Sequence, residues 1–206
     1  MYLKFLGFTS IIFLLSNCAN MNKSDCLTAD WQLIGFEDGS FGKNESQISQ
    51  HRKECSEYGV TPDLAAYRKG HLEGSKLFCT KNNGFTIGLK GGNYNRNCPE
   101  QFEEAFLTGF TDGQNLYALK KVLNQRTKEL EDAYKNLDWL EHTIAEKSEL
   151  MVADGLNRAQ RIAVRNEIAQ HQNRQEQLIS MLDELKHQFE EAFLAYEQGK
   201  VEFANY

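Results

Sequence analysis

Cysteine is the residue type with the clearest chemical potential in this sequence. The 206-residue chain contains five cysteines: Cys18, Cys26, Cys55, Cys79 and Cys98. Cys18 follows an apolar N-terminal segment, and an even set of four remains, which in an oxidising compartment predicts two disulfide bonds. Metal binding is the alternative interpretation. It is disfavoured because the sequence has no Cys-x-x-Cys pair, and His51-x-x-x-Cys55 alone is a weak ligand pair.

Motifs for catalysis are missing from the sequence. It contains no Gly-x-Ser-x-Gly, no His-Glu-x-x-His and no phosphate-binding loop with a lysine. The adjacent Glu103 and Glu104 point to different faces of a helix, so they do not form a carboxylate pair. We therefore predict that the protein is not an enzyme and has no cofactor or metal, with an envelope hydrolase as the least favoured alternative. The net charge of −6 argues against nucleic acid as a partner.

One segment is positively charged, in contrast to the negative net charge of the whole chain. Residues 81–97 include three basic residues, Lys81, Lys90 and Arg96, and no acid, together with four glycines and five asparagines. Such a loop can meet anionic groups, for example lipid phosphates or cell-wall carboxylates. It is therefore a candidate ligand loop, and a solvated turn that happens to lack acids is the alternative.

The N-terminal segment has the features of an export signal. One positive charge at Lys4 precedes eleven mostly apolar residues at 5–15, which are too few to span a membrane. Residues 1–17 are therefore predicted to be a signal peptide.

The end of that segment, Leu15-Ser16-Asn17-Cys18, resembles the lipobox of bacterial lipoproteins. The resemblance implies that Cys18 carries the lipid, and residues 18–28 are predicted to form the lipidated N-terminus and a short tether. By the same resemblance, Ala19 after the cysteine favours an outer-membrane lipoprotein of the cell envelope that faces the periplasm.

Glycine usage divides the remainder of the chain. Twelve of the fifteen glycines lie between residues 35 and 113. Many recur four residues apart behind an aromatic residue, in Tyr67-x-x-Gly70-x-x-x-Gly74, Phe85-x-x-Gly88-x-x-x-Gly92, Phe106-x-x-Gly109-x-x-x-Gly113 and, more loosely, Trp31-x-x-x-Gly35-x-x-x-Gly39. This spacing places both glycines on one helix face, where the close approach of a second helix can offset their helix-propensity cost of about 1 kcal/mol each. We predict packing faces, with a ligand on the bare backbone as the alternative.

Three of these glycine pairs have an acid directly before the second glycine: Asp38, Glu73 and Asp112. Carboxylates of this kind can gather around a cation. Solvated acids at the helix edges are the favoured interpretation.

Helix start signals predict several short helices. Thr61-Pro62-Asp63 and Cys98-Pro99-Glu100 each combine a turn residue, a proline and an acid in the first turn. We predict helices near 29–41, 45–58 and 62–78 and from 99 onward, within a glycine-rich, disulfide-bonded helical module over residues 29–114. For the segment 80–97 the sequence does not decide between a strand and one or two turns of helix.

A heptad pattern begins near residue 115. Apolar residues recur every seven positions from Leu116 to Met151, and a second heptad series runs from Val164 to Tyr196. The pattern predicts a long antiparallel helical hairpin, a coiled coil, over residues 115–198, and a C-terminal tail at 199–206. The fold class is therefore predicted to be mainly α, with the small disulfide-bonded module followed by the hairpin.

Polar residues within the heptad rows are expected to set the register of the hairpin. With the turn near Asp154-Gly155, Arg126 is predicted to lie near Asp183, and His171 near Asp138.

The predicted helices also pair the cysteines. Two antiparallel helices at 29–41 and 45–58 place Cys26 beside Cys55. Cys79 ends one helix and Cys98 begins another, so a bond between them would close the segment 81–97. We predict the disulfides Cys26–Cys55 and Cys79–Cys98.

Several of these motifs occur together in one order: Trp31…Gly35-Phe-Glu-Asp-Gly39, His51…Cys55, Gly59-Val-Thr-Pro-Asp63, Tyr67…Gly70…Gly74…Cys79, Asn83-Gly-Phe85…Gly88…Tyr94…Cys98-Pro99 and Gly109…Asp-Gly113. The joint pattern resembles a family of bacterial envelope lipoproteins catalogued as domain of unknown function 2799. The resemblance covers roughly residues 26–120. It implies lipidation and envelope location, and it implies no activity.

Taken together, the sequence predicts a non-catalytic cell-envelope lipoprotein that acts as a structural or protein-interaction module. Tyr134, Ile162 and Ile179 lie outside the hairpin seam, so a protein partner or a second copy is expected to contact them; shielding of the seam is the alternative. The alternative function is a binding module for a cell-wall or anionic lipid ligand through the basic loop 81–97.

Overall fold

The computed structural model describes residues 21–206, which form helices and no strand. The predicted signal peptide and Cys18 lie outside these residues. In chain order the helices are α1 (Lys23–Leu27), α2 (Trp31–Ser40), α3 (Ile48–Ser56), α4 (Leu64–Phe78), α5 (Lys81–Leu89), α6 (Glu100–Val152) and α7 (Arg158–Glu202), with a short 3-10 turn at Glu45–Gln47 before α3. Within this part of the chain, no helix combines the length and the apolar character that crossing a membrane requires.

The chain divides into two compact units, and the division falls between Leu77 and Phe78. The predicted boundary between residues 114 and 115 is not a break, because it lies inside the uninterrupted helix α6. The glycine-rich region is therefore shared by both units. We call the unit that ends at Leu77 unit 1, and Phe78–Tyr206 unit 2.

Unit 1 contains α1 to α4. Short side chains cap its helices: Asp30 Oδ1 accepts the amide protons of Gln32 and Leu33 at 3.0 Å, and Asp63 Oδ1 accepts that of Ala65 at 2.9 Å. Because Asp63 is the capping side chain, α4 begins at Leu64, two residues later than predicted.

The predicted disulfide Cys26–Cys55 is present in unit 1, with a Cα–Cα distance of 5.4 Å. It belongs to a core of buried residues that also contains Trp31, Ile48 and Tyr67. The predicted tether at 18–28 is wrong for its described part, because α1 carries Cys26 into this core.

Unit 2 contains α5, α6 and α7. The predicted disulfide Cys79–Cys98 is present, with a Cα–Cα distance of 5.6 Å, and both cysteines belong to a buried core cluster with Phe106 and Phe110. Thr80 caps α5 through its hydroxyl, which accepts the Asn83 amide proton at 3.2 Å. The open choice at 80–97 is thus decided: residues 81–89 are helical, and an irregular segment follows.

The predicted hairpin consists of α6 from residue 115 onward and α7, joined by a turn at 153–157. Every heptad position that the sequence predicts in the seam is buried or half-buried, and the most buried are Leu116, Ala133, Leu140, Ile168, Leu182 and Ala192. Lys147 Nζ lies 2.5 Å from Glu167 Oε2 and records the register between the helices.

The predicted polar pairs of the hairpin are wrong. Arg126 bonds Glu129 on its own helix at 2.7 Å, and Asp183 lies 3.9 Å from Lys186, so a local partner replaces the predicted cross-hairpin pair. The His171 ring packs edge-on against Trp139, with 5.5 Å between centroids.

The predicted C-terminal tail is instead part of unit 2. Helix α7 continues to Glu202, and Gly199 is buried against the side chains of Leu116 and Leu119. Beyond the helix, the Tyr206 ring stacks on Phe85 with 4.1 Å between centroids. The aromatic residues at the end of the chain provide the contact area that holds it there.

Candidate functional site

Helices α2 and α4 of unit 1 cross with their backbones in contact. A β-carbon at Gly35 would lie 2.1 Å from the Tyr67 carbonyl oxygen, and one at Gly70 would lie 1.8 Å from that of Gln32. The second glycine of each helix, Gly39 on α2 and Gly74 on α4, has the same kind of contact one turn later. The glycines are therefore packing positions, as predicted, because no other residue fits there without separating the helices.

Helices α5 and α6 of unit 2 repeat this crossing. A β-carbon at Gly84 would lie 2.2 Å from the Phe106 carbonyl oxygen, and one at Gly109 would lie 1.9 Å from that of Lys81. In both units each glycine faces the carbonyl group three residues before the glycine of the partner helix. The crossings thus share one register, in which Gly35 corresponds to Gly84 and Gly70 to Gly109.

This register corrects the predicted repeat at 85–92. The glycines of α5 that meet α6 are Gly84 and Gly88, whereas Gly92 lies beyond the end of α5 and faces the side chain of Ile87. The error arose because an aromatic residue, Phe85, stands at the same distance before Gly88 as Tyr67 does before Gly70.

A buried carboxylate, Asp38, lies at the crossing in unit 1. It is 4% exposed and accepts three hydrogen bonds: from Lys43 Nζ at 2.9 Å, from His51 Nε2 at 2.8 Å and from the Tyr67 hydroxyl at 2.9 Å. The three donors come from the segment after α2, from α3 and from α4. Asp38 therefore joins three parts of the unit to α2 through charge-assisted hydrogen bonds.

The surroundings keep Asp38 ionised. Burial alone would raise the pKa of this carboxyl, but the hydrogen bonds from His51, Lys43 and Tyr67 outweigh burial and lower the pKa to about 2. Burial and the neighbouring carboxylate also raise the pKa of Tyr67 far above its ordinary value. Tyr67 therefore remains a donor, and Asp38 is a poor proton acceptor at neutral pH.

Two more buried polar residues extend this arrangement. His71 Nε2 donates to the Lys43 carbonyl oxygen at 2.8 Å, and its ring stacks on that of Tyr67 with 5.9 Å between centroids. Ser75 Oγ lies 3.5 Å from His71 Nδ1. We call Asp38, His51, Tyr67, His71 and Ser75, together with Lys43, the polar cluster.

The positions in unit 2 that are equivalent to Asp38, Tyr67 and His71 are apolar. Ile87 corresponds to Asp38, Phe106 to Tyr67, and Phe110 to His71. Phe106 is 1% exposed, and its ring packs on those of Phe78 and Tyr94. The same backbone crossing is therefore filled by hydrocarbon in one unit and by hydrogen-bonded polar groups in the other.

The three acids before the second glycines have different surroundings. Asp38 belongs to the polar cluster, Glu73 is exposed beside Lys76 at 2.7 Å, and Asp112 accepts a hydrogen bond from the Tyr206 hydroxyl. Across residues 21–206, no group of three or more histidine, cysteine or acidic side chains is arranged to hold a metal ion. The disulfide also takes Cys55 away from the weak ligand pair with His51.

The candidate ligand residues of the basic segment are not gathered on one loop. Lys81 and Lys90 lie at opposite ends of α5, and Arg96 follows in the irregular segment, where its φ is 53°. The Lys81 ammonium lies over the Tyr206 ring, 4.6 Å from its centroid. Binding of an anionic ligand by this segment stays a prediction.

The sequence indicated parts of the polar cluster but missed their association. Asp38 and His51 were singled out for different reasons, and His71 was weighed only as a possible catalytic residue and given no role. A usable signal existed: Asp38 directly precedes Gly39, and His71 directly follows Gly70, so both lie beside the glycine face that meets the partner helix.

Comparison with known proteins identifies one family. No curated protein and no solved structure matches the chain. A family model described as "Protein of unknown function (DUF2799)" matches residues 30–115. The matched segment contains both glycine crossings and ends where the hairpin begins. Residues 30–115 of this chain are therefore similar to the DUF2799 family.

Proposed function

We propose that this protein is a non-catalytic lipoprotein of the bacterial cell envelope whose hairpin is an interaction element, and that the hairpin binds a second copy of the chain. The observation that carries the proposal is a set of exposed apolar residues along one flank of the hairpin. Tyr134, Ile162 and Ile179, which have no place in the seam, are 46%, 43% and 52% exposed.

Tyr134 and Ile179 share a flank because each directly follows a seam position: Tyr134 follows Ala133, and Ile179 follows Leu178. Ile162 follows Arg161, which lies seven residues before Ile168 and extends that heptad row towards the turn. In an antiparallel pair of helices, the positions that follow the seam lie on one side and those that precede it lie on the other. Three more exposed apolar residues follow seam positions in the same way: Tyr117, Val152 and Phe193.

Along the hairpin the six residues group at three heights. Counting from the Lys147–Glu167 ion pair, Tyr134 falls opposite Ser180, next to Ile179, and Val152 falls opposite Ile162. Tyr117 and Phe193 lie within about one turn of each other near the base. We call Tyr117 and Phe193 the base group, Tyr134 and Ile179 the central group, and Val152 and Ile162 the tip group. Each outer group is about 25 Å from the central one at 1.5 Å per residue.

This even spacing is self-complementary. A two-fold axis through Tyr134 and Ile179 would bring the base group of one copy onto the tip group of the other, and the central group onto itself. Isologous contacts of this kind close a dimer without leaving a free end. The expected product is a four-helix bundle formed from two hairpins.

Charged residues next to the central group make this association dependent on salt. Acids stand three residues before and four residues after each central residue, on the same helix face: Glu131, Asp138, Glu176 and Asp183. They would face the same acids of the second copy. We therefore expect the dimer to be weak at low ionic strength and to strengthen when salt screens the repulsion.

The test replaces Tyr134, Ile162 and Ile179 together by serine. A matched control replaces Val122, Leu150 and Met181 together by serine. These three residues precede seam positions and are 47%, 46% and 56% exposed. Molar mass is measured by light scattering across concentration and salt, and the helix content is checked by circular dichroism. We expect the first variant to lose self-association and the control to keep it.

Three outcomes would contradict the proposal. A wild-type chain that stays monomeric at high salt would exclude the second copy as the partner. Equal association of both variants would exclude this flank. Loss of association in the control alone would assign the contact to the opposite flank.

The lipid attachment is tested separately. Cys18→Ser should abolish labelling by a radioactive or clickable fatty acid and release the protein from the membrane fraction. Retention of both would contradict the lipoprotein part of the proposal and leave the hairpin test unaffected.

A further inference from the structure

Met21, the first residue that the structure describes, already packs against the rest of unit 1. The Met21 amide donates to Glu54 Oε2 at 3.2 Å, and the Met21 sulfur lies 3.9 Å from Cys55 Sγ. Asn22 then caps α1 in a capping box, and Cys26 in α1 is covalently bonded to Cys55. The chain is thus held against unit 1 from Met21 onward, and no flexible linker follows this residue.

A lipid on Cys18, as proposed above, would leave three residue steps before this fixed point. Three residues reach at most about 11 Å when fully extended. Each polar interfacial layer of a bilayer is itself about 5–8 Å thick. An acylated Cys18 held at the interface therefore brings Met21 to the headgroups.

We infer that unit 1 rests on the lipid headgroups with the surface around Met21, formed by α1 and the part of α3 that carries Gln50 and Glu54. This inference rests on the proposed lipidation of Cys18. The surface exposes Lys23 and Leu27 on α1, and Leu27 is 61% exposed. Its occupant is the bilayer surface.

Charge on this surface does not explain the contact. The basic residues Lys23, Arg52 and Lys53 are matched by Asp25, Glu54 and Glu57 in the same two helices and the residue that follows them. The short tether is therefore the cause. Contact should depend on tether length and not on the fraction of anionic lipid.

The two tryptophans of the chain allow a direct test. Trp31 is in unit 1 and Trp139 is in the hairpin, so Trp139→Phe leaves one donor for energy transfer in unit 1. The acylated full-length mature chain is reconstituted into vesicles of phosphatidylethanolamine and phosphatidylglycerol that contain headgroup-dansylated lipid. Trp139 is 53% exposed, so this substitution should leave the fold unchanged.

The matched variant carries a twelve-residue Gly/Ser insertion between Ala19 and Asn20. Such a linker adds a root-mean-square reach of about 20 Å. We expect energy transfer from Trp31 to be strong with the native tether, to fall severalfold with the insertion, and to stay the same when phosphatidylglycerol is omitted. Circular dichroism and disulfide mapping establish that both variants are folded.

Equal transfer from the two variants, whether strong or weak, would overturn the inference. Loss of transfer in vesicles without phosphatidylglycerol would also overturn it, since binding would then depend on charge. Mass spectrometry first establishes the acyl group on Cys18. Its absence would contradict the proposed lipidation itself, whereas equal transfer from acylated chains contradicts only the contact with the headgroups.

Discussion

The two glycine crossings have the same backbone contact and opposite interiors. In unit 1 the crossing of α2 and α4 holds the polar cluster around Asp38, and in unit 2 the crossing of α5 and α6 holds Phe106 and Phe110. Each unit also has one disulfide that ties the segment before its first crossing helix to the segment before its second.

The comparison shows that the backbone contact between the glycines forms with either a polar or an apolar interior. Because unit 2 is built without a buried ion pair, the backbone contact between glycines does not require one. Replacing buried ion pairs by hydrocarbon is often neutral or stabilising, whereas removing one partner of a pair is costly. The polar cluster therefore acts by joining Lys43 and α3 to the crossing. The apolar residues of unit 2 make no equivalent link.

The largest expected effect tests the shared crossing. Gly70→Ala and Gly109→Ala each place a β-carbon against a carbonyl oxygen of the partner helix, which cannot move without the helix. We expect each to lower the free energy of unfolding of its unit by about 3 kcal/mol. Denaturant unfolding followed by Trp31 fluorescence for unit 1 and Trp139 fluorescence for unit 2 measures both.

The control for this prediction is Gly92→Ala. A β-carbon there would meet only Ile87 of the same segment, at 2.8 Å from its Cγ2 and 3.0 Å from its carbonyl oxygen, and no second helix. We therefore expect a smaller loss, about 1 kcal/mol. A mild effect of Gly70→Ala beside a severe effect of Gly109→Ala would show that the two crossings are not equivalent.

The next test compares the interiors. Asp38→Ala removes the acceptor shared by His51, Lys43 and Tyr67, and leaves buried donors unpaired. We expect a loss of about 3 kcal/mol in unit 1. Ile87→Ala at the equivalent position removes only half-buried hydrocarbon and should cost about 1 kcal/mol. Equal losses in the two units would mean that the polar cluster contributes nothing beyond packing.

Acid should unfold the two units differently. The pKa of Asp38 is lowered from 3.8 to about 2 in the folded chain, so the folded state binds fewer protons than the unfolded state between these values. The stability that Asp38 contributes is complete above about pH 4 and is lost as the pH falls towards 2. It amounts to about 2 kcal/mol.

This acid-dependent loss should be visible in Trp31 fluorescence and absent in an Asp38→Asn variant. An Asp38→Asn chain that retains the same acid dependence as wild type would assign the effect to other carboxyl groups.

The smallest expected effect converts one residue of unit 1 into its unit 2 equivalent. Tyr67→Phe keeps the buried ring and removes one hydrogen bond to Asp38. We expect a loss of about 1 kcal/mol. The same change should raise the midpoint of acid unfolding in unit 1, because Asp38 loses a donor that lowers its pKa. An unchanged midpoint would show that Lys43 and His51 suffice.

Local signals predicted most of the helices and the hairpin. The heptad rows were sufficient for α6 and α7 because a seam between two helices depends on the apolar period alone. The cysteines were paired correctly because helix ends placed them near each other. The domain boundary at 114 was wrong because glycine composition changes within α6, where the helix passes from one packing partner to another.

The sequence by itself determined the helical class, the disulfide partners, the glycine packing faces and the seam of the hairpin, all of which follow from spacing along the chain. Only the tertiary structure decided which glycines of α5 meet α6, that the last residues pack on Phe85, and that Asp38, His51, Tyr67 and His71 form one polar cluster. The physical reason is that these arrangements depend on which backbones approach each other. A buried carboxylate is stabilised by donors 5, 13 and 29 residues away, and no periodicity along the chain records such contacts.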